Sequence, residues 1–188
     1  MSVVRLSIQS WLTNSTQWTH ISVIMFEGQL ESIYIGQSKR ADLQPMSEAE
    51  AIPGGGLRGD RYYLQQGTFS KPGHPDREVT LIEIEAIEAL ERECKLTLQA
   101  WQARRNLVTR GVPLNHLVGQ EFQVGEVILR GIRLCEPCDH LESLTVKGVI
   151  DGLCHRGGLR AQIIRGGTIR PGDVIRPAKQ ITSGQAVA

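Results

Sequence analysis

The chain has 188 residues, of which 40% are hydrophobic and 22% charged, and its formal net charge is +1. These are the proportions of an ordinary globular domain long enough for one real core, and the near-neutral balance argues against a nucleic-acid partner. No stretch reaches the ~18 apolar residues of a membrane span. Residues 1–20 lack the charged-then-apolar order of a signal peptide, so the expected setting is cytoplasmic, with no membrane contact. The charge is uneven. Trp101 to Ala188 carry twelve Lys/Arg, ten of them Arg, against seven Asp/Glu, a balance of +5 that leaves −4 on residues 1–100. Arginine is favoured where oxyanions are held by forked hydrogen bonds.

In chain order, residues 1–27 are Ser/Thr-rich and weakly patterned, and 1–28 read as an N-terminal extension. Gln29–Ile35 alternates as a first strand, with Leu30, Ile33 and Ile35 apolar. A further extended piece runs from Pro45 to Ile52, and Pro53-Gly54-Gly55-Gly56 breaks it. Gly67–Asp76 is a loop rich in Gly, Pro and His. Val79–Ile82 is a short strand, and Ile84, Ile87, Leu90 and Cys94 then recur at helical spacing, which predicts an amphipathic helix over Glu83–Lys95 with Cys94 buried on its apolar face. Thr80-x-x-Glu83 offers a capping box that would start that helix earlier.

Gln102–Val108, Phe122–Val124, Val127–Leu134, Gln162–Ile164 and Val174–Arg176 complete the strands, with Gly166–Pro171 as a tight connection before the last. Short strands at 8–12-residue spacing with glycine turns predict a mainly β fold: a closed or nearly closed β-barrel with one or two peripheral helices. Residues 29–177 form that domain and 178–188 a flexible tail.

Several motifs carry chemistry. Cys135-Glu136-Pro137-Cys138 follows the apolar run Glu126–Leu134, so a thiol sits at a strand end near many arginines, where a reactive or metal-binding thiolate is expected. Four cysteines do not make a disulfide scaffold in a chain of this size. Structural zinc is disfavoured, because the other half-site would be the adjacent pair Cys154-His155, and neighbours rarely face one tetrahedral centre. Thioredoxin-like exchange needs a Cys-x-x-Cys pair at a helix N-terminus in a βαβ context, which is missing.

Gly54-x-Gly56-x-x-Gly59 matches a dinucleotide fingerprint as a string. Pro53 precedes it and Asp60-Arg61-Tyr62 follows, where a strand and a helix are required. The segment reads instead as a loop permitting close approach, with Asp60 and Arg61 as a local ion pair. Arg104-Arg105-Asn106 leads into an apolar strand. Together with Arg133, Arg156 and Arg160 it is a candidate oxyanion pocket.

These segments resemble one family in order: Gly56-Leu57-Arg58-Gly59-Asp60-Arg61-Tyr62, Ala103–Gly111, Leu117-Val118-Gly119 with Phe122-x-Val124-Gly125-Glu126, Cys135-Glu136-Pro137-Cys138, Gly157-Gly158-Leu159-Arg160-Ala161 and Gly172-Asp173. The pattern is similar to the MOSC domain, named after the C-terminal part of molybdenum cofactor sulfurase, over roughly Gln29–Pro177. The resemblance implies a barrel related to the extra barrel domain of pyruvate kinase. It implies a molybdenum-pterin cofactor, with Cys138 as metal ligand or sulfur carrier and Cys135 secondary. Arg58, Asp60, Arg61, Arg104, Arg105, Asn106, Arg133, Arg156 and Arg160 are the implied cofactor-binding set.

The chain lacks the aminotransferase-like region and Schiff-base lysine context of full-length sulfurases, so pyridoxal phosphate is not expected. It also lacks an electron-transfer module. A reductase acting on N-hydroxylated substrates would take electrons from a partner protein, and a carrier would deliver sulfur or cofactor to a molybdoenzyme.

Overall fold

A computed structural model of the protein describes residues 25–70 and 73–178. The chain orders as β1 (Gly28–Ile35), β2 (Gln44–Met46), β3 (Ala49–Ile52), β4 (Gly56–Leu57), β5 (Val79–Glu83), α1 (Ile84–Ala89), β6 (Leu107–Arg110), β7 (Glu121–Val124), β8 (Val127–Leu134), α2 (Asp139–Glu142), α3 (Val149–Gly152), β9 (Leu159–Arg165), β10 (Gly167–Ile169) and β11 (Val174–Pro177). Hydrogen bonds run β11-β7-β8-β9-β5-β6-β1, and β1 pairs with β11 to close a seven-stranded barrel. β2 extends from β1, and β10-β3-β4 form a second, three-stranded sheet. All the barrel pairings are antiparallel except β5–β6.

Alternation in β1 buries Ile33 and Ile35, and the register shift between Leu30 and Ser32 brings Leu30 to the same core. They join side chains from every barrel strand, among them Leu81, Leu107, Phe122, Leu129, Leu159 and Ile175, in the core that fills the barrel. A second core lies on the other face of β5 and β6, where Ile82 and Val108 pack with Ile87, Leu90, Leu141, Val149 and Leu153. β5 is therefore buried on both faces, which is why Val79, Leu81 and Ile82 are all apolar there and the hydroxyl of Thr80 is hydrogen-bonded to Asn106. Each such fully buried side chain contributes roughly 1.5–3 kcal/mol.

The mainly β, closed barrel agrees with the sequence reading, and five local expectations are corrected. The expected strand Gln102–Val108 splits: Ala100–Ala103 is a 3-10 turn, Arg104 takes a left-handed φ of 58°, and β6 begins at Leu107. The piece from Pro45 to Ile52 is two strands in different sheets. Gly166–Pro171 contains β10, which pairs with β3.

The helix begins after Glu83, which lacks a side-chain cap, because the Thr80 hydroxyl bonds to Asn106 instead. The fifth correction follows from that helix. It passes after Ala89 into a π-helical turn, Leu90–Cys94, and its wider turn shifts the phase of the apolar stripe. Cys94 is consequently exposed rather than buried. Residues 1–24 of the expected extension and 179–188 of the expected tail lie outside the described residues.

Candidate functional site

A groove forms where four segments meet: Lys39 from the loop after β1, Arg61 to Phe69 after β4, Arg104-Arg105 before β6, and Cys135 to Leu141 after β8, with Arg160 of β9. Its floor is a polar network around Asp60, which is fully buried. Asp60 Oδ1 accepts from the Gly36 main-chain N–H at 3.1 Å, Arg61 Nη1 at 3.1 Å and Asn106 Nδ2 at 3.0 Å. Its Oδ2 accepts from the Tyr62 N–H at 3.0 Å. Asn106 Oδ1 accepts from the Thr80 hydroxyl at 2.9 Å. Asp60 and Arg61 are thus the expected ion pair, and they tie β1, β5 and β6 to the Arg58–Tyr62 turn.

The arginines divide by what their donors touch. Arg105 gives all three guanidinium nitrogens to carbonyls: Nε to Gly157 at 2.9 Å, Nη1 to Ala103 at 3.1 Å and Nη2 to Cys135 at 2.8 Å. Arg104 donates to the Ala41 and Lys39 carbonyls, strapping the loop after β1 against the groove. Burial, and then the positive charge of Arg61, lower the Arg104 pKa. Arg160 has one main-chain partner, the Asp76 carbonyl at 3.3 Å from Nη1. Burial works against its charge, but Cys135, Tyr62 and Asp76 outweigh it, so its pKa is raised.

The two thiols of the motif both line the groove. Cys135 is buried, its N–H bonded to the Gly158 carbonyl and its own carbonyl to Arg105. Cys138 is exposed and extended, at φ −153°, just before α2. His140, two residues on, meets the Thr68 hydroxyl at 3.1 Å and the Phe69 ring edge-on. Burial, followed by the charges of Arg104 and Arg40, lowers its pKa.

Of the residues singled out in sequence, Cys135, Cys138, Arg61, Arg104, Arg105 and Arg160 line one groove. Asp60 and Asn106 lie in its floor network. Three arginines lie elsewhere: Arg58 pairs with Glu50, Arg133 with Asp76, and Arg156 with Glu93. The Gly54–Gly59 loop does not line the groove either. What approaches closely there is the backbone just before β5, since a Cβ on Gly56 would stand 2.7 Å from the Glu78 carbonyl.

Lys39, Tyr62, Thr68, Phe69, Glu136 and His140 were not singled out, although Tyr62, Glu136 and His140 sit inside or beside the motifs. Among the described residues no three His, Cys, Asp or Glu side chains gather as a metal-ligand set. No helix there is long and apolar enough to cross a membrane.

The fold has solved relatives. The YuaD protein from Bacillus subtilis is 17% identical, with a TM-score of 0.63 over 82% of this chain and 98% of that one. YiiM from Geobacillus stearothermophilus is 16% identical, with a TM-score of 0.60 over 82% and 77%. YiiM from Escherichia coli is 17% identical, with a TM-score of 0.59 over 84% and 71%. No curated protein sequence matches the chain. The MOSC domain matches residues 69–176, which hold both thiols, the Arg104-Arg105 pair and β5 to β11. By that match, and with the closed barrel that carries it, the chain belongs to the MOSC domain family.

Proposed function

We propose that the groove binds the molybdenum-pterin cofactor, with Cys138 as the protein thiolate offered to the metal. The observation that carries this reading is the exposed thiol of Cys138 in a groove lined by Lys39, Arg61, Arg104, Arg105 and Arg160. The donor set fits the group. A dithiolene brings its own sulfur ligands, so one soft thiolate suffices and no three-residue ligand cluster is required. The phosphate and the anionic metal centre call for surplus cations, which this groove has.

When bound, the cofactor supplies two-electron chemistry, and the barrel supplies position and electrostatics. Arg105 fixes the Cys135 backbone, which sets where Cys138 stands three residues later. Glu136 is pinned by the His155 N–H at 2.9 Å and the His155 ring, which holds the other side of the motif. Such a site reduces N-hydroxylated or similar compounds with electrons from a partner protein. A second reading rests on the exposure of Cys138: an open thiol is equally suited to carry a persulfide to a molybdoenzyme without turnover. Either role belongs in a reducing, cytoplasmic compartment, where thiols stay free.

The test is to express the protein in a molybdenum-replete host and measure metal, pterin and persulfide sulfur. The Cys138→Ser variant is expected to lose them and Cys135→Ser to keep most. Full retention in Cys138→Ser with loss in Cys135→Ser reverses the assignment. Persulfide without metal selects the carrier reading.

A further inference from the structure

Beside the groove, three buried guanidinium nitrogens have no hydrogen-bond partner among the described residues: Nε and Nη1 of Arg77 and Nε of Arg160. A buried charged donor left unmade is costly, and native structures rarely tolerate one without an occupant to match it. The two arginines that carry these donors stand against one ring. The guanidinium carbons of Arg77 and Arg160 stand 5.5 Å and 5.8 Å from the centroid of the same ring, Phe69. Arg160 is 8% exposed.

The local charge points the same way. Asp76 is the carboxylate shared by this cluster. Its Oδ1 lies 3.2 Å from Arg77 Nε, too poorly aligned for a hydrogen bond, and its Oδ2 is 2.7 Å from Arg133 Nη2. Only its main-chain carbonyl reaches Arg160. Three guanidinium groups thus surround one carboxylate, a local surplus of two positive charges. The groove's other buried arginines are already engaged: Arg105 gives each of its nitrogens to a carbonyl, and Arg61 is paired with Asp60 and the Arg104 carbonyl.

We propose that Arg77 and Arg160 form an oxyanion subsite beside Phe69 that takes the terminal phosphate of a phosphate monoester lying in the groove. A dianion would match the surplus charge, and its oxygens would accept from the three orphaned donors. The Phe69 ring is 37% exposed and is the cover an incoming anion displaces. Arg77 comes from the turn Pro75–Arg77 ahead of β5, and Arg160 from β9 next to Cys135 across the groove wall. The subsite therefore orients a ligand with its phosphate at Phe69 and its other end toward the thiols. This deepens the cofactor reading above and rests on it for the identity of the ligand, but not for the anion.

The test uses the full, metal-free chain, titrated with inorganic phosphate and with phenyl phosphate at constant ionic strength, read by calorimetry and by thermal shift. Wild type is expected to bind both saturably, the monoester at least as tightly. Arg77→Gln and Arg160→Gln are expected to bind at least about tenfold more weakly, and Arg92→Gln, a surface change, like wild type. If Arg160→Gln does not fold, Arg77→Gln decides alone. No saturable binding to wild type, or wild-type affinity in Arg77→Gln, overturns the subsite. Binding of inorganic phosphate alone overturns its assignment to a monoester. Molybdenum and pterin content of Arg77→Gln protein from the replete host separates the two ideas. Phosphate binding without cofactor fails the functional reading alone, and cofactor without phosphate binding fails the subsite alone.

Discussion

Asn106 Nδ2 donates to Asp60 Oδ1 across 3.0 Å inside the protein, joining residues 46 positions apart, and both side chains are fully buried. Asp60 also neutralises Arg61, which is 4% exposed. Removing the carboxylate leaves that cation and three other donors without their acceptor. Asp60→Ala is expected to cost about 3–5 kcal/mol in urea unfolding, with Asn106→Ala costing less because it orphans no charge. A loss below about 1 kcal/mol for Asp60→Ala contradicts a buried ion pair.

The Arg105 clamp predicts a coupled outcome. Arg105→Lys keeps the charge but cannot reach the Gly157, Ala103 and Cys135 carbonyls with one nitrogen. Stability is expected to fall by about 2–4 kcal/mol. The rate at which iodoacetamide modifies buried Cys135 is expected to rise toward those of exposed Cys94, Cys138 and Cys154. Loss of stability with an unchanged Cys135 rate argues that the clamp acts elsewhere.

This clamp also marks where the sequence stopped being legible. β1, β7 and β8 declare themselves because each alternates on one face, and β5 because it is apolar on both. β6 was misplaced because Trp101 and Ala103 continue the apolar pattern backwards through a 3-10 turn, and nothing local announces the left-handed Arg104. β10 was missed because three residues starting at a glycine carry no pattern of their own; β3 alone defines it. The Cys135–Cys138 motif and the Arg104-Arg105 pair were visible as chemistry. That Arg104 and Arg105 spend their donors on carbonyls, while Arg77 and Arg160 leave donors unmade, is a tertiary fact, as is the presence of Lys39, Thr68 and Phe69 in the wall.

Asp76 ties stability to acid. Burial works against its charge, but the hydrogen bond from Arg133 and the charges of Arg77, Arg133 and Arg160 outweigh it and hold its pKa below the ordinary range. A folded pKa below the unfolded one means the unfolded chain takes up the proton first as pH falls. The stabilisation is therefore complete above about pH 4–5 and is lost as pH drops through the folded value. Melting temperature is expected to decline on acidification from about pH 5 to about pH 3, less steeply in Asp76→Asn. Equal slopes in the two proteins would sink this assignment.

Gly158 is the tightest crossing beside the site. Its φ is +112°, and a Cβ there would stand 1.9 Å from the Leu81 carbonyl oxygen, which is fixed in β5. Both the backbone strain and the clash oppose a side chain. Gly158→Ala is expected to lose more than about 4 kcal/mol, or to yield no folded protein. Near-native melting of that variant would show that β5 and β9 can separate at the thiol motif.

The pairing of β1 with β11, Gly28 opposite Ile175 and Gln29 opposite Val174, has a consequence for how the chain is made. Two barrel edges, β1 and β7, wait for the same strand, which lies about 145 residues beyond the first of them. Until residue 177 has left the ribosome, the nascent sheet is an open, curling ribbon with two unsatisfied rims, and neither can be sealed by local zippering. Closure is then a late, long-range event, the slow kind by the usual link between contact separation and rate. The exposed rims are the surfaces on which a stalled chain would aggregate or recruit a chaperone.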